Sequence, residues 1–139
     1  MREQLNMKKA SGLFDVTLTP QTPDGKYEDV MLGRFTVDKQ YQGDLEATGT
    51  GQMLTGGTRV KGSAGYVAIE RVSGTLHGKR GSFVLQHIGT MSHGDFRLSV
   101  TVIPDSGTDE LTGISGSMSI LVVAKKHSYH FDYTIAAAK

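Results

Sequence analysis

The 139-residue chain contains no cysteine, which excludes disulfide bonds and thiolate chemistry. It has only three prolines, so its many glycines do not form a disordered proline- and glycine-rich tract. No apolar run reaches the roughly 18 residues that a membrane-spanning helix needs. The polar start of the chain lacks the apolar centre of a signal peptide. We therefore expect a cytoplasmic protein with no membrane partner.

The sequence is equally poor in the patterns that mark nucleic-acid, metal or nucleophile sites. The net charge is +1, and basic and acidic residues are mixed along the chain, which predicts no nucleic-acid partner. His127 and His130 stand three residues apart, a spacing that puts them on opposite faces of a strand. No Gly-x-Ser-x-Gly motif is present. We therefore expect no metal and no cofactor, and no motif assigns a catalytic residue.

Glycine is abundant, with 18 residues, and it falls between and within short alternating apolar and polar segments. Such a pattern is typical of a tightly turned antiparallel sheet. No apolar period of 3.6 residues persists, so no long helix is predicted. The eight predicted strands cover about 11–19, 33–40, 44–53, 66–76, 83–91, 96–103, 111–124 and 127–135.

The order of these strands predicts an all-β fold. Eight consecutive strands with short links form a meander, and a flat meander leaves two unpaired edges. Closing the last strand onto the first removes both edges, and eight strands leave an interior just wide enough for side chains or one small ligand. We therefore predict a closed, eight-stranded, antiparallel up-and-down barrel, with a Greek-key sandwich as the alternative. The barrel is expected to be a single domain over 11–139, after a flexible tail over 1–10.

Two predicted hairpins define the most informative region, between about 63 and 97. Turns centred on Lys79-Arg80 and on His93-Gly94 place Glu70 and His87 together on one otherwise apolar face. In this register Gly89 lies opposite Glu70 and leaves room beside it. A carboxylate next to an imidazole in an apolar cavity is a candidate acid–base pair. The alternative is a buried pair that only fixes the strand register.

Four further residues are candidates for contacts with a ligand. Glu46 is predicted opposite Lys39 across a Gln42-Gly43 turn, either as an exposed salt bridge at the rim or as an interior carboxylate reaching toward Glu70. The phenols of three tyrosines are possible hydrogen-bond donors, with core packing as the alternative for each. These tyrosines are Tyr66, Tyr129 and Tyr133.

The predicted outer face of the barrel is more apolar than a plain solvent-exposed surface. Its aliphatic residues suggest that another subunit covers part of the exterior, and a twofold dimer is the commonest arrangement. We therefore expect a homo-oligomer. The residues behind this expectation are Ile69, Val84, Ile88 and Ile103.

Several segments in combination resemble a family of small, uncharacterised bacterial proteins, a domain of unknown function similar in fold to the allene oxide cyclase barrel. The resemblance covers about 11–133. It implies an eight-stranded antiparallel barrel and carries no activity with it. The segments are Asp44–Thr48, Val60–Glu70, Gly74–Gly78, Gly81–His87 and Val102–Thr108.

The functional expectation from these observations is a barrel that binds a small, mostly apolar molecule in its interior. The first alternative is an isomerase or cyclase that uses Glu70 or His87 for acid–base catalysis. The second is a ligand-free structural oligomer whose interior is packed shut.

Overall fold

The computed structural model of the chain describes residues 6–23 and 25–136, and it is a closed barrel in which eight strands follow one another in sequence order. Every neighbouring pair is antiparallel, including the first strand with the last, so the predicted up-and-down barrel is confirmed. A short 3₁₀ turn at Asp109–Leu111 precedes the seventh strand. The strands are β1 (Lys8–Gln21), β2 (Val30–Gly43), β3 (Leu45–Thr58), β4 (Ala64–Leu76), β5 (Lys79–Ser92), β6 (Asp95–Val102), β7 (Ile114–Val123) and β8 (Lys126–Ile135).

The first five strands are longer than the alternating pattern alone indicated, whereas β7 begins at Ile114 and not at Leu111, which lies in the 3₁₀ turn. β1 begins at Lys8, and Ala10 is buried in the core, so part of the predicted tail is strand. Residues 1–5 of that tail lie outside the described residues. Among the described residues, no helix is long and apolar enough to cross a membrane.

The register of the β4–β5 hairpin differs from the predicted one. The turn lies at His77-Gly78, with φ values of 47° and 79°, and not at Lys79-Arg80. Two positive φ values are the signature of the tight hairpin turn whose twist matches the flanking strands. His87 therefore pairs with Ala68, and Glu70 pairs with Leu85. The shift is four residues, an even number, so both side chains keep their predicted inward direction.

The register of the β2–β3 hairpin is also wrong in the prediction, and here the consequence is larger. Lys39 pairs with Gly49 and not with Glu46, a shift of three residues. An odd shift turns a side chain to the other face of the sheet. Glu46 consequently lies exposed on the outside, and the predicted approach of Glu46 to Lys39 or Glu70 does not occur.

The remaining hairpins agree better with the sequence. In β5–β6, His87 pairs with Val100 and Met91 pairs with Phe96, as predicted. In β7–β8 the turn is Ala124-Lys125, one position before the predicted one, so the pairing shifts by two residues and preserves the faces.

The interior of the barrel is divided into a packed half and an open half. The packed half holds stacked aromatic rings, with Phe83 and Phe131 at 5.6 Å and Phe131 and Tyr133 at 5.2 Å between ring centroids. Leu111, from the turn before β7, is buried against Gly81 and joins this core. The other half holds a cavity of about 450 Å³.

The outer face is partly covered by the chain itself. The loop after β6 bonds to β5, with the Ile103 N–H donating to the Val84 carbonyl and the Val84 N–H donating to Ser106 Oγ. Ile69 and Ile88 remain about half exposed. The predicted homo-oligomer stays a prediction.

Candidate functional site

The cavity is lined by the inward-facing residues of the open half of the barrel and, near the β7–β8 turn, by the exposed Leu121. Each strand contributes its last inward positions before the packed core begins, and most of them are aliphatic or aromatic. The apolar lining residues are Phe14, Val16, Leu18, Val37, Met53, Ala68, Phe96, Leu98, Ile120, Leu121 and Val122. The polar lining residues are Lys39, Tyr66, Glu70, His87 and His127.

Glu70 lies at the floor of this cavity, where its side chain is 1 % exposed. Lys39 Nζ donates to Oε1 at 3.0 Å, and His87 Nε2 contacts the same oxygen at 2.8 Å. The Tyr41 hydroxyl donates to Oε2 at 2.6 Å. Both carboxylate oxygens are thus engaged by groups of the protein, and the four side chains form a buried cluster that we call the Glu70 cluster.

Three strands position the Glu70 cluster. Lys39 and Tyr41 project inward from β2, Glu70 from β4 and His87 from β5. β3 runs between β2 and β4 and carries Gly49 at the crossing point, where an added Cβ would overlap Glu70 Oε2. Glycine at this position lets side chains from β2 and β4 meet across the intervening strand.

The electrostatics of the Glu70 cluster favour an ionised carboxylate. Burial raises the pKa of Glu70, but the hydrogen bond from His87, the charge of Lys39 and the hydrogen bond from Tyr41 outweigh it and hold the pKa below 4.5. Burial and then the negative charge of Glu70 raise the pKa of Tyr41 well above 10.0, so the phenol keeps its proton and donates. The Lys39 ammonium also lies 4.9 Å from the centroid of the Phe14 ring, a cation–π contact.

The structure brings together three of the six predicted site residues and separates the others. Glu70, His87 and Tyr66 line the cavity. Tyr66 is half-buried, burial raises the pKa of its phenol, and its ring packs over Gly89. Gly89 thus makes room for Tyr66 and not for a ligand beside Glu70, which corrects the prediction.

Tyr129 and Tyr133 lie outside the cavity lining, and both are fully buried in the packed half. The Tyr129 hydroxyl accepts from the Leu45 N–H at 2.9 Å and donates to the Gln42 carbonyl at 2.8 Å. The Tyr133 hydroxyl is hydrogen-bonded to His77 Nδ1. These contacts fix strand ends and do not face the cavity.

The sequence interpretation missed two members of the Glu70 cluster. The predicted register pairs Lys39 with Glu46, and it gives Tyr41 no role in the site. The signal was present in the alternation of β2, because Val37, Lys39 and Tyr41 occupy consecutive positions on its inward face. A lysine between two apolar inward residues indicates a buried acidic partner.

Within residues 6–23 and 25–136, no group of three histidine, aspartate or glutamate side chains is arranged to hold a metal ion. His87 links the Glu70 cluster to the cavity lining, with Nε2 placed 2.8 Å from the Glu70 carboxylate, which only accepts hydrogen bonds when ionised.

Comparison with known proteins identifies relatives of this chain. The model of the family described as "Protein of unknown function (DUF3224)" matches residues 10–133. The crystal structure of a protein of unknown function from the DUF3224 family of Shewanella oneidensis MR-1 is 48 % identical in sequence. The structural match covers 96 % of this chain and 100 % of the Shewanella protein chain, with a TM-score of 0.92. No curated protein matches the chain. The chain therefore belongs to the DUF3224 family.

Proposed function

We propose that the barrel binds a small, mostly apolar molecule, with the apolar body against the cavity walls and a polar end at the floor. The observation that carries this proposal is a cavity of about 450 Å³ with apolar walls and a buried charged cluster on one side. Ligand sites commonly have volumes of about 300–1,000 Å³, are mostly apolar and contain a few convergent polar groups. A core built only for stability has no need of such a space, because unfilled volume costs free energy.

Filling the cavity tests this proposal. Ala68 points into the cavity, whereas Ile69, the next residue on β4, points outward. Ala68→Phe is expected to weaken the binding of the neutral dye Nile red by at least about tenfold, because the new ring occupies the ligand volume. Ile69→Phe is the matched control and is expected to bind as the unmodified protein does. The measurement is a fluorescence titration, with thermal melting to verify folding.

Equal dye binding by the unmodified protein and Ala68→Phe would contradict an interior site. If Ala68→Phe does not fold, Leu98→Trp fills the same cavity from β6. Native mass spectrometry of the protein purified from its own host then reports the mass of any retained molecule.

A second candidate function is proton transfer on a bound carbonyl compound, as in an isomerase. The observation that favours it is the contact of His87 Nε2 with the Glu70 carboxylate at 2.8 Å, which orients the ring. In this reaction Nδ1 takes a proton from the carbon next to the carbonyl, and the C–H electron pair forms an enolate. The protonated Nδ1 exchanges its hydrogen with water, and a proton then returns from it to the former or to a conjugated carbon, so no co-reactant is needed.

Exchange of hydrogen for deuterium tests the second function. We expect the protein to accelerate exchange of the protons next to the carbonyl of 2-octanone in D₂O, followed by proton NMR. His87→Gln is expected to reduce the protein-dependent rate by about 10²- to 10⁴-fold, the usual contribution of a general base. His130→Gln alters an exposed histidine of β8 outside the cavity lining and is expected to keep the rate. Equal rates for the two variants would contradict the assignment of His87 as the base.

A further inference from the structure

One ring nitrogen of His87 has no hydrogen-bond partner among the described residues. Nε2 bonds to Glu70, but no hydrogen bond joins Nδ1 to any residue of the described ranges 6–23 and 25–136. In the same ranges, every fully enclosed side-chain nitrogen or oxygen has a partner, so Nδ1 is not enclosed. Because His87 lines the cavity, Nδ1 is open to a molecule bound there.

The protonation of the ring decides what Nδ1 can recognise. The ionised Glu70 carboxylate only accepts hydrogen bonds, so Nε2 carries the proton. Whenever the ring is neutral, Nδ1 is then an acceptor. A ligand group that meets it has to donate a hydrogen, which an ester, an ether or a ketone oxygen does not do.

The charges at the floor restrict the donor further. Lys39 and Glu70 already neutralise one another at 3.0 Å, and Lys39 also faces the ring of Phe14. An ammonium group on the ligand would place a second cation near Lys39 without an anion to balance it. A carboxylate would place a second anion near Glu70, and it has no hydrogen to donate. An uncharged hydroxyl group can donate a hydrogen bond without adding a charge near Lys39 or Glu70.

Building on the proposed function, we propose that the molecule held in the cavity is a neutral, mostly apolar alcohol or phenol. Its hydroxyl donates to His87 Nδ1 while its hydrocarbon part lies against the cavity walls. Glu70 acts here as a positioning residue, since both of its oxygens are bonded to protein groups and its effect on the ligand passes through the orientation of His87.

A series of compounds with one octyl chain tests this proposal. The compounds are 1-octanol, 1-methoxyoctane, octylamine and sodium octanoate, measured by calorimetric titration at pH 7.5. We expect 1-octanol to bind at least about tenfold more tightly than 1-methoxyoctane, because the ether leaves Nδ1 without a donor. The two charged compounds are expected to bind more weakly than the alcohol.

A direct readout of Nδ1 accompanies the titration and needs no variant. The nitrogen NMR signal of His87 Nδ1 is expected to move when 1-octanol is added and to move less with 1-methoxyoctane. In His87→Leu the ratio of the affinities for the alcohol and the ether is expected to fall to about 1, because the acceptor is gone. His130→Gln, which alters an exposed histidine of β8 outside the cavity lining, is the matched control and is expected to keep the preference.

The outcomes separate this proposal from the proposed function. If the ether binds as tightly as the alcohol and the Nδ1 signal does not move, the hydroxyl assignment is overturned while the interior site stands. If none of the four compounds and no Nile red binds, both are overturned. Tighter binding of octanoate than of octanol would replace the alcohol with an anionic ligand.

Discussion

Replacing Glu70 with glutamine is expected to lower the free energy of unfolding by about 3–5 kcal/mol, as expected when one partner of a buried ion pair is removed. The substitution keeps the size of the side chain but leaves the Lys39 ammonium, 8 % exposed, without its counter-ion. It also alters the hydrogen bonds with Tyr41 and His87. Urea denaturation measures the change.

Two further variants show whether the loss comes from the unpaired charge. Glu46→Gln changes an exposed glutamate on the outer face of β3 and is expected to stay within about 0.5 kcal/mol of the unmodified protein. Lys39→Met combined with Glu70→Gln removes both charges and is expected to recover part of the lost stability. A loss below about 1 kcal/mol in Glu70→Gln would show that the ion pair contributes little.

The pH dependence of the same variant follows from the lowered pKa of Glu70. The unfolded carboxyl titrates near 4.5, and the folded one titrates at lower pH. Below the unfolded pKa the unfolded state therefore binds more protons, so stability is present above about pH 4.5 and is lost as the pH falls through the folded pKa. We expect unfolding curves between pH 6 and pH 2 to show a steeper acid loss for the unmodified protein than for Glu70→Gln.

The second large effect is expected for Gly49→Ala. An added Cβ overlaps Glu70 Oε2, and the carboxylate cannot move aside without losing bonds to Lys39, Tyr41 or His87. We expect a loss of about 2–3 kcal/mol in the free energy of unfolding, in the upper part of the range for overpacking a filled site. Urea denaturation is again the measurement.

Gly56→Ala provides the control for Gly49→Ala. Gly56 lies on the same strand, and an added Cβ there meets no atom within 4 Å, so the change is expected to be within about 0.5 kcal/mol. Combining Gly49→Ala with Glu70→Ala removes the overlapping carboxylate. The double variant is expected to lose less stability than the sum of the two single variants. If the losses in the free energy of unfolding of the two single variants simply add in the double variant, the space left by Gly49 is not what accommodates the Glu70 carboxylate.

The fold was largely predictable from the sequence because strand pairing has a period of two. Alternation together with short turns determines which face a residue occupies, and an error of four residues in the β4–β5 turn still left Glu70 and His87 pointing inward. The number of strands and the closure of the barrel follow from the need to pair both edges.

The Glu70 cluster was only partly predictable, since it depends on distances across strands that do not pair directly. The predicted β2–β3 register is wrong by an odd number of residues, so it places Glu46 on the inward face and pairs Lys39 with Glu46 in place of Glu70. The meeting of Lys39 with Glu70 also requires the missing side chain of Gly49 on the strand between them. The alternation pattern of a single strand predicts neither the curvature of the barrel nor the space that Gly49 leaves for Glu70.

The seam between β6 and β7 differs from the other seven seams of the barrel. These two strands share a single register pair, Thr101 with Ser117, whereas β1 and β8 remain paired from Lys8 to Phe14. Leu98 and Ile120, which flank the seam on its two sides, also line the cavity. Fewer paired backbone positions hold the wall together here than at any other seam between the described strands, so we expect local opening of the barrel to begin between β6 and β7.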